Sequence, residues 1–132
     1  VSACWRLDDG RQTLVLRSDR GRLAEVVYWG PSLPESEDLA TLYEAYTLDV
    51  TGGMLDVNPE LSICPEATRS FPGQPGLIIR NGDGTPFLPK LCLERADVGE
   101  NVLILTYMDQ SRVLTYRARF AIDPVTHIIE VS

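Results

Sequence analysis

Basic residues and histidine are scarce in this sequence. Twelve Lys and Arg stand against nineteen Asp and Glu, a formal net charge of −7. That excludes nucleic acid as a natural partner, because phosphate binding needs a surplus of cations to displace counterions. An anionic membrane surface is disfavoured for the same reason. The one histidine, His127, cannot build a multi-histidine metal centre, and it leaves a single imidazole as base for any Ser or Cys nucleophile. Three cysteines, Cys4, Cys64 and Cys92, are too few, too far apart and odd in number for a disulfide framework or a zinc site. They read as reduced, buried thiols of a cytoplasmic protein. No apolar run reaches bilayer length and no basic-then-apolar leader opens the chain. The first residue is Val1, which reads as a processed chain or one excised from something longer. At 132 residues the sequence suits one domain and is too short for an eight-fold α/β barrel of about 250 residues.

What is present is a series of short strand signals. Ser2–Leu7, Gln12–Arg17 and Leu23–Trp29 are separated by Asp8-Asp9-Gly10 and Asp19-Arg20-Gly21. Glycine supplies the positive φ that such tight turns need, so the opening third reads as a β-meander. Residues 35–47 change period: Leu39, Leu42, Tyr43 and Tyr46 recur at i, i+3, i+4 and i+7, predicting one short helix. Ser32 with Glu35, or Ser36, would cap it, and Glu35, Glu37 and Asp38 would fill its first turn. An irregular loop is the alternative. Six of nine prolines lie between Pro59 and Pro89, predicting a long, largely irregular segment with short strands at most at Glu60–Cys64 and Gly76–Arg80. Lys90–Val98 and Val102–Met108 then form a hairpin, the second strand apolar on both faces as in a two-sided core. Arg112–Ile122 alternates, with Leu114, Tyr116, Ala118, Phe120 and Ile122 on one face. A last strand follows at His127–Val131, either a sheet edge or a strand whose partners lie elsewhere. The pattern is an all-β antiparallel sandwich with one short helix.

Few residues carry chemistry. His127 shares the apolar side of its strand with Ile129 and Val131 and reads as a packed or hydrogen-bonded core histidine. Asp8/Asp9 and Glu37/Asp38 are carboxylate pairs, but turn propensity and helix-dipole matching account for them. Asn81-Gly82-Asp83-Gly84 lacks the further ligands of a calcium loop. No catalytic residue, metal site or cofactor site emerges. Aromatic residues offer more: Trp5, Tyr28, Trp29, Phe71 and Phe87 could stack on a sugar ring or fill the sandwich. Tyr28 and Trp29, being adjacent, point to opposite faces. Phe71 and Phe87, on the proline-rich segment, are the better candidates for contact outside the domain.

Three segments are more specific. Glu25-Val26-Val27-Tyr28-Trp29-Gly30, then Leu61-Ser62-Ile63-Cys64-Pro65-Glu66, then Phe71-Pro72-Gly73-Gln74-Pro75-Gly76-Leu77 together resemble the N-terminal domain of bacterial α-galactosidases (melibiases) of glycoside hydrolase family 36. Ala118-Arg119-Phe120, Asp123 and Ile128-Ile129-Glu130-Val131 are similar to that domain's later hairpin. The resemblance spans most of the chain and is weakest between Pro34 and Pro59. It implies an antiparallel β-supersandwich preceding a catalytic α/β barrel of the same chain. Such enzymes release terminal α-linked galactose with retention, using aspartates of the barrel. The family's N-terminal domain is longer than this chain, and no catalytic residue carries over. In oligomeric relatives a loop matching Glu66–Leu77 helps to shape a neighbouring subunit's active-site mouth. Some carry Asp-Phe-Arg there, where this chain has Gln74-Pro75-Gly76. Arg69, Phe71 and Gln74 are the residues the resemblance offers for galactoside contact in trans, at a neighbouring subunit's site, with loop rigidity the competing account and Arg80 equally a surface residue.

Two functions follow as expectations. One is a cytoplasmic, non-catalytic scaffold and oligomerisation domain of an α-galactosidase. The other is a carbohydrate-binding module gripping sugar through exposed aromatics, Trp29 first among them. A free-standing enzyme is the weakest fit.

Overall fold

The computed structural model describes residues 2–46, 62–69 and 73–132. Strands β1 (Ala3–Asp8), β2 (Gln12–Ser18) and β3 (Glu25–Pro31) form an antiparallel sheet in that order. A helix, α1 (Leu39–Tyr46), follows. A small hairpin pairs β4 (Ile79–Arg80) with β5 (Pro86–Phe87). The second large sheet runs β6 (Leu91–Val98), β7 (Val102–Asp109), β8 (Thr115–Ile122) and β9 (Ile129–Val131), each antiparallel to the next. Leu7, Leu14 and Leu16 of the first sheet share one core with Leu103, Leu105, Tyr107, Ala118, Phe120 and Ile122 of the second. The fold is an all-β antiparallel sandwich with one short helix.

Local chemistry explains the hairpins. Gly10 and Gly21 take φ of +82° and +73°, a region that costs glycine nothing. The Gly21 carbonyl accepts from Leu93 N–H at 2.7 Å, which ties the β2–β3 connection to β6. In the core, Tyr107 is fully buried and its hydroxyl accepts from Ala24 N–H at 3.1 Å. Burial pushes that phenol up to about 12, against the pull of the Ala24 hydrogen bond. A register shift between β2 and β3 leaves Val27 as an extra residue, because Val15 faces Tyr28 while Leu16 faces Val26.

Four expectations need correcting. β7 is central in its sheet but buried on one face only: Leu103, Leu105, Tyr107 and Asp109 are buried, whereas Val102, Ile104, Thr106 and Met108 are half-buried. A continuous apolar run does not by itself mean two covered faces. The helix starts at Leu39, later than the acidic run suggested, and Ser32 does not cap it. Asp38 does, accepting from Ala40 N–H at 2.9 Å and the Thr41 hydroxyl at 2.8 Å. Glu35 and Glu37 precede the helix. His127 lies outside the last strand, in the left-handed region at φ +59°, so it does not share a strand face with Ile129 and Val131. Strand β8 likewise begins at Thr115, after a turn in which Arg112 takes φ +59°.

Candidate functional site

The β1–β2 turn gathers more polar groups than turn propensity requires. Asp8 accepts from Gly10 N–H, Arg6, Thr13 and Ser32. Burial pushes its carboxyl up, but those donors outweigh it and hold it at about 2. Arg6 continues outward to the carbonyls of Leu33 and Pro34, so Asp8 fastens residues 32–34 against the sheet.

Asp9 faces the other way. Its Oδ1 accepts from the N–H groups of Arg11 and Gln12, both at 2.9 Å. Its Oδ2 lies 2.8 Å from His127 Nδ1, and the carboxylate side chain is closed off from solvent. Burial raises this carboxyl, yet the Gln12, Arg11 and His127 hydrogen bonds bring it well below the usual carboxylate range. Gln12 Nε2 donates to the His127 carbonyl at 2.6 Å, and Gln12 Oε1 accepts from Trp29 Nε1 at 3.0 Å. One chain of hydrogen bonds therefore runs from Trp29 through Gln12 to His127 and Asp9. It crosses from the first sheet to the loop entering β9. His127 has an acid partner, as in a catalytic triad, but no hydroxyl or thiol nucleophile is bonded to it among the described residues. Its geometry is that of a clasp between sheets.

A second junction secures the proline-rich segment. Glu66 is buried; its Oε1 accepts from Leu91 N–H at 2.8 Å and its Oε2 from Arg69 Nε at 2.9 Å. Arg69 also donates to the Leu91 carbonyl at 2.8 Å, and Thr68 to the Pro89 carbonyl at 3.0 Å. Ser62 bridges Glu25, and Ile63 N–H donates to the Ala24 carbonyl at 3.2 Å. Gly76 packs so closely on Cys64 that a Cβ there would meet its sulfur at 2.9 Å.

The sugar-contact candidates are thus dispersed. Arg69 is engaged in the Glu66 junction. Gln74 is exposed, and Phe71 lies outside the described residues. Trp29 is 68% exposed, while its neighbour Tyr28 is half-buried and donates to the Pro31 carbonyl. Trp5 packs on the core. Phe87 is half-buried, paired across the small hairpin with Ile79, and Arg80 donates to the Gly84 carbonyl of its own turn. Asp83 closes that turn on Thr85.

Cys4, Cys64 and Cys92 are unpaired. Burial raises the thiols of Cys4 and Cys64, which keeps both protonated and poorly nucleophilic at neutral pH. Among the described residues no cluster of three or more His, Cys, Asp and Glu is placed to hold a metal ion, and no helix is long and apolar enough to cross a membrane. No local pattern announces the Asp9–His127 clasp, because its two residues lie 118 positions apart. No family model, curated protein or solved structure matches this chain.

Proposed function

We propose that this chain is a non-catalytic β-sandwich domain of a cytoplasmic α-galactosidase, serving scaffold and oligomerisation roles and shaping the mouth of an active site carried by a downstream barrel. One observation carries the reading: the motif segments that are distant in sequence meet in space. Glu25 bridges Ser62, Ala24 accepts from Ile63, and both segments pack on the core around Tyr107. A motif set that forms one packed unit is what a shared domain architecture requires, although fold alone never dictates function. The polar residues fit the same reading, since Asp8, Asp9, His127, Glu66 and Arg69 fasten segments together. Gln74 remains the exposed polar candidate for the active-site mouth.

The test is hydrolysis of a chromogenic α-galactoside. The purified chain should give no turnover, and the full-length gene product should hydrolyse it with retention. Turnover by the chain alone, or none by the full-length protein, defeats the proposal. The exposure of Trp29 favours a second reading, a carbohydrate-binding module. Saturable quenching of tryptophan fluorescence by galactose, melibiose or raffinose, lost in Trp29→Ala, would support that reading instead.

A further inference from the structure

Three places in the chain set a glycine directly after an aspartate or asparagine: Asp9-Gly10, Asn81-Gly82 and Asp83-Gly84. At such a step the glycine's backbone nitrogen can attack the carbonyl carbon of the preceding side chain, because no Cβ obstructs the approach. The reaction needs an unengaged nitrogen, a side-chain carbonyl bearing a group that can leave, and water. At Asp9-Gly10 the Gly10 N–H donates to Asp8 Oδ1 at 2.7 Å, and both Asp9 oxygens are occupied by Arg11, Gln12 and His127. At Asp83-Gly84 the Gly84 N–H donates to the Asn81 carbonyl at 2.9 Å. Asp83 Oδ1 accepts from the Thr85 hydroxyl at 2.6 Å and the Thr85 N–H at 2.9 Å. Those bonds hold its carboxyl below the ordinary range and therefore ionised. A carboxylate has no leaving group to offer.

Asn81-Gly82 differs on every count. The Gly82 N–H donates to nothing among the described residues. Asn81 carries a neutral carboxamide, whose nitrogen can depart as ammonia. Both residues are exposed, and the one bond of the carboxamide, from Nδ2 to Thr85 Oγ1 at 3.0 Å, is one that water can replace. From this we propose that Asn81 is a site of spontaneous covalent modification, at which the turn between β4 and β5 converts its own asparagine to aspartate and isoaspartate. The Gly82 nitrogen bonds to Asn81 Cγ and the Cγ–Nδ2 bond breaks. The Gly82 proton leaves with Nδ2 as ammonia, and a five-membered succinimide remains. Water then opens the ring, at the Cγ carbonyl to give aspartate or at the main-chain carbonyl to give isoaspartate. Either product adds a negative charge to a chain already at −7, in the same turn as Asp83, and can no longer donate to Thr85. Isoaspartate also lengthens the main chain by one carbon. It does so where the Asn81 N–H donates to the Thr85 carbonyl at 2.8 Å and the Asn81 carbonyl accepts from Gly84. The turn that joins β4 to β5 thereby loses bonds that close it.

The experiment ages the folded chain at neutral and at mildly alkaline pH, with a parallel sample in urea. Cleavage after Glu66 and Glu94 releases the peptide 67–94, in which mass spectrometry with fragmentation locates the exchange of NH₂ for OH and separates aspartate from isoaspartate. Product should accumulate at Asn81 in the folded chain, faster at the higher pH because the attacking nitrogen must lose its proton, and not at Asp9 or Asp83. Gly82→Pro should abolish it, since proline has no N–H. The fold has room for that change. A Cβ on Gly82 would meet nothing within 4 Å, and neither Gly82 nor Asp83 takes a positive φ. The Gly84-to-Asn81 hydrogen bond then makes a type I turn, whose second position favours proline. Gly82→Ala, which keeps the N–H but crowds it, should slow the reaction several-fold. Product in urea but none at Asn81 in the folded chain overturns the proposal, since the turn would then protect the amide. Isoaspartate forming as fast at Asp83 or Asp9, or product persisting at Asn81 in Gly82→Pro, overturns it as well.

Discussion

Two carboxylate-centred junctions hold this sandwich together, and they differ in kind. At Glu66 both oxygens are engaged, one by a backbone N–H and one by an arginine, and the side chain is 5% exposed. At Asp9 the partner is an imidazole 26% exposed, reached from the far end of the sequence. The first ties the proline-rich segment to the strand that follows it. The second clasps one sheet to the other. A buried ion pair is dangerous to break because the surviving charge is left without water or partner. A half-open imidazole can recover a hydrogen bond from solvent.

That contrast can be broken experimentally. Glu66→Ala should have the largest effect, a loss of about 3–5 kcal/mol of stability, read as a drop in the urea midpoint. Glu66→Gln, which can still accept from Leu91 N–H, should lose less. Tyr107→Phe comes next. It leaves Ala24 N–H buried without its acceptor, which costs about 1–3 kcal/mol with the denaturant slope unchanged. At the clasp, His127→Val combines loss of the Asp9 contact with a β-branched residue at φ +59°, a strain of about 1–3 kcal/mol. His127→Asn, which tolerates that backbone region, should be milder, and an equal loss in both would mean that backbone strain is not the issue.

The acid response sharpens the comparison further. Asp8 sits at about 2 in the folded state and near 3.9 when unfolded, so the unfolded chain binds the proton first as pH falls. Its stabilisation is therefore present above about pH 4 and is lost between there and about pH 2. Asp9, also lowered, adds to the same acid loss. Chemical denaturation across pH 2–6 should show this slope, shallower in Asp8→Asn. Smallest of all, Trp29→Ala should shift the isolated chain's stability by no more than about 0.5 kcal/mol, as for most surface substitutions.

The meander was legible in the sequence because its information is local. Asp-Gly and Arg-Gly turns sit between runs of strand-forming residues, and the alternation from Leu114 to Ile122 marks the buried face of β8. Where the determinants are shared between elements, local pattern does not resolve them. The acidic run 35–38 looks like a helix start, but only Asp38 has the side-chain geometry to cap it. Ile79 and Phe87 pair in a two-residue ladder too short for any periodicity to announce. The apolar neighbours of His127 point to a packed or hydrogen-bonded histidine, and the structure has the hydrogen bond, to Asp9. Its real partner is set by how the sheets pack, which no local pattern encodes. For the candidate site, the exposure of Trp29 and the engagement of Arg69 likewise depend on tertiary placement.

The extra residue at Val27 has a consequence for how the exposed indole is encoded. Val26 and Trp29 are three positions apart, an odd count that would ordinarily send them to opposite sides of a strand. The bulge lets both stand on the row facing Leu16 and Leu14. Deleting Val27 would restore an unbroken ladder with Trp29 still opposite Leu14, whereas closing the bulge with Val27 retained would carry the indole across the sheet. The placement of Trp29 is thus written in the pairing of the strand as much as in residue identity, since Val27 is the one residue of β3 that the ladder to β2 passes over.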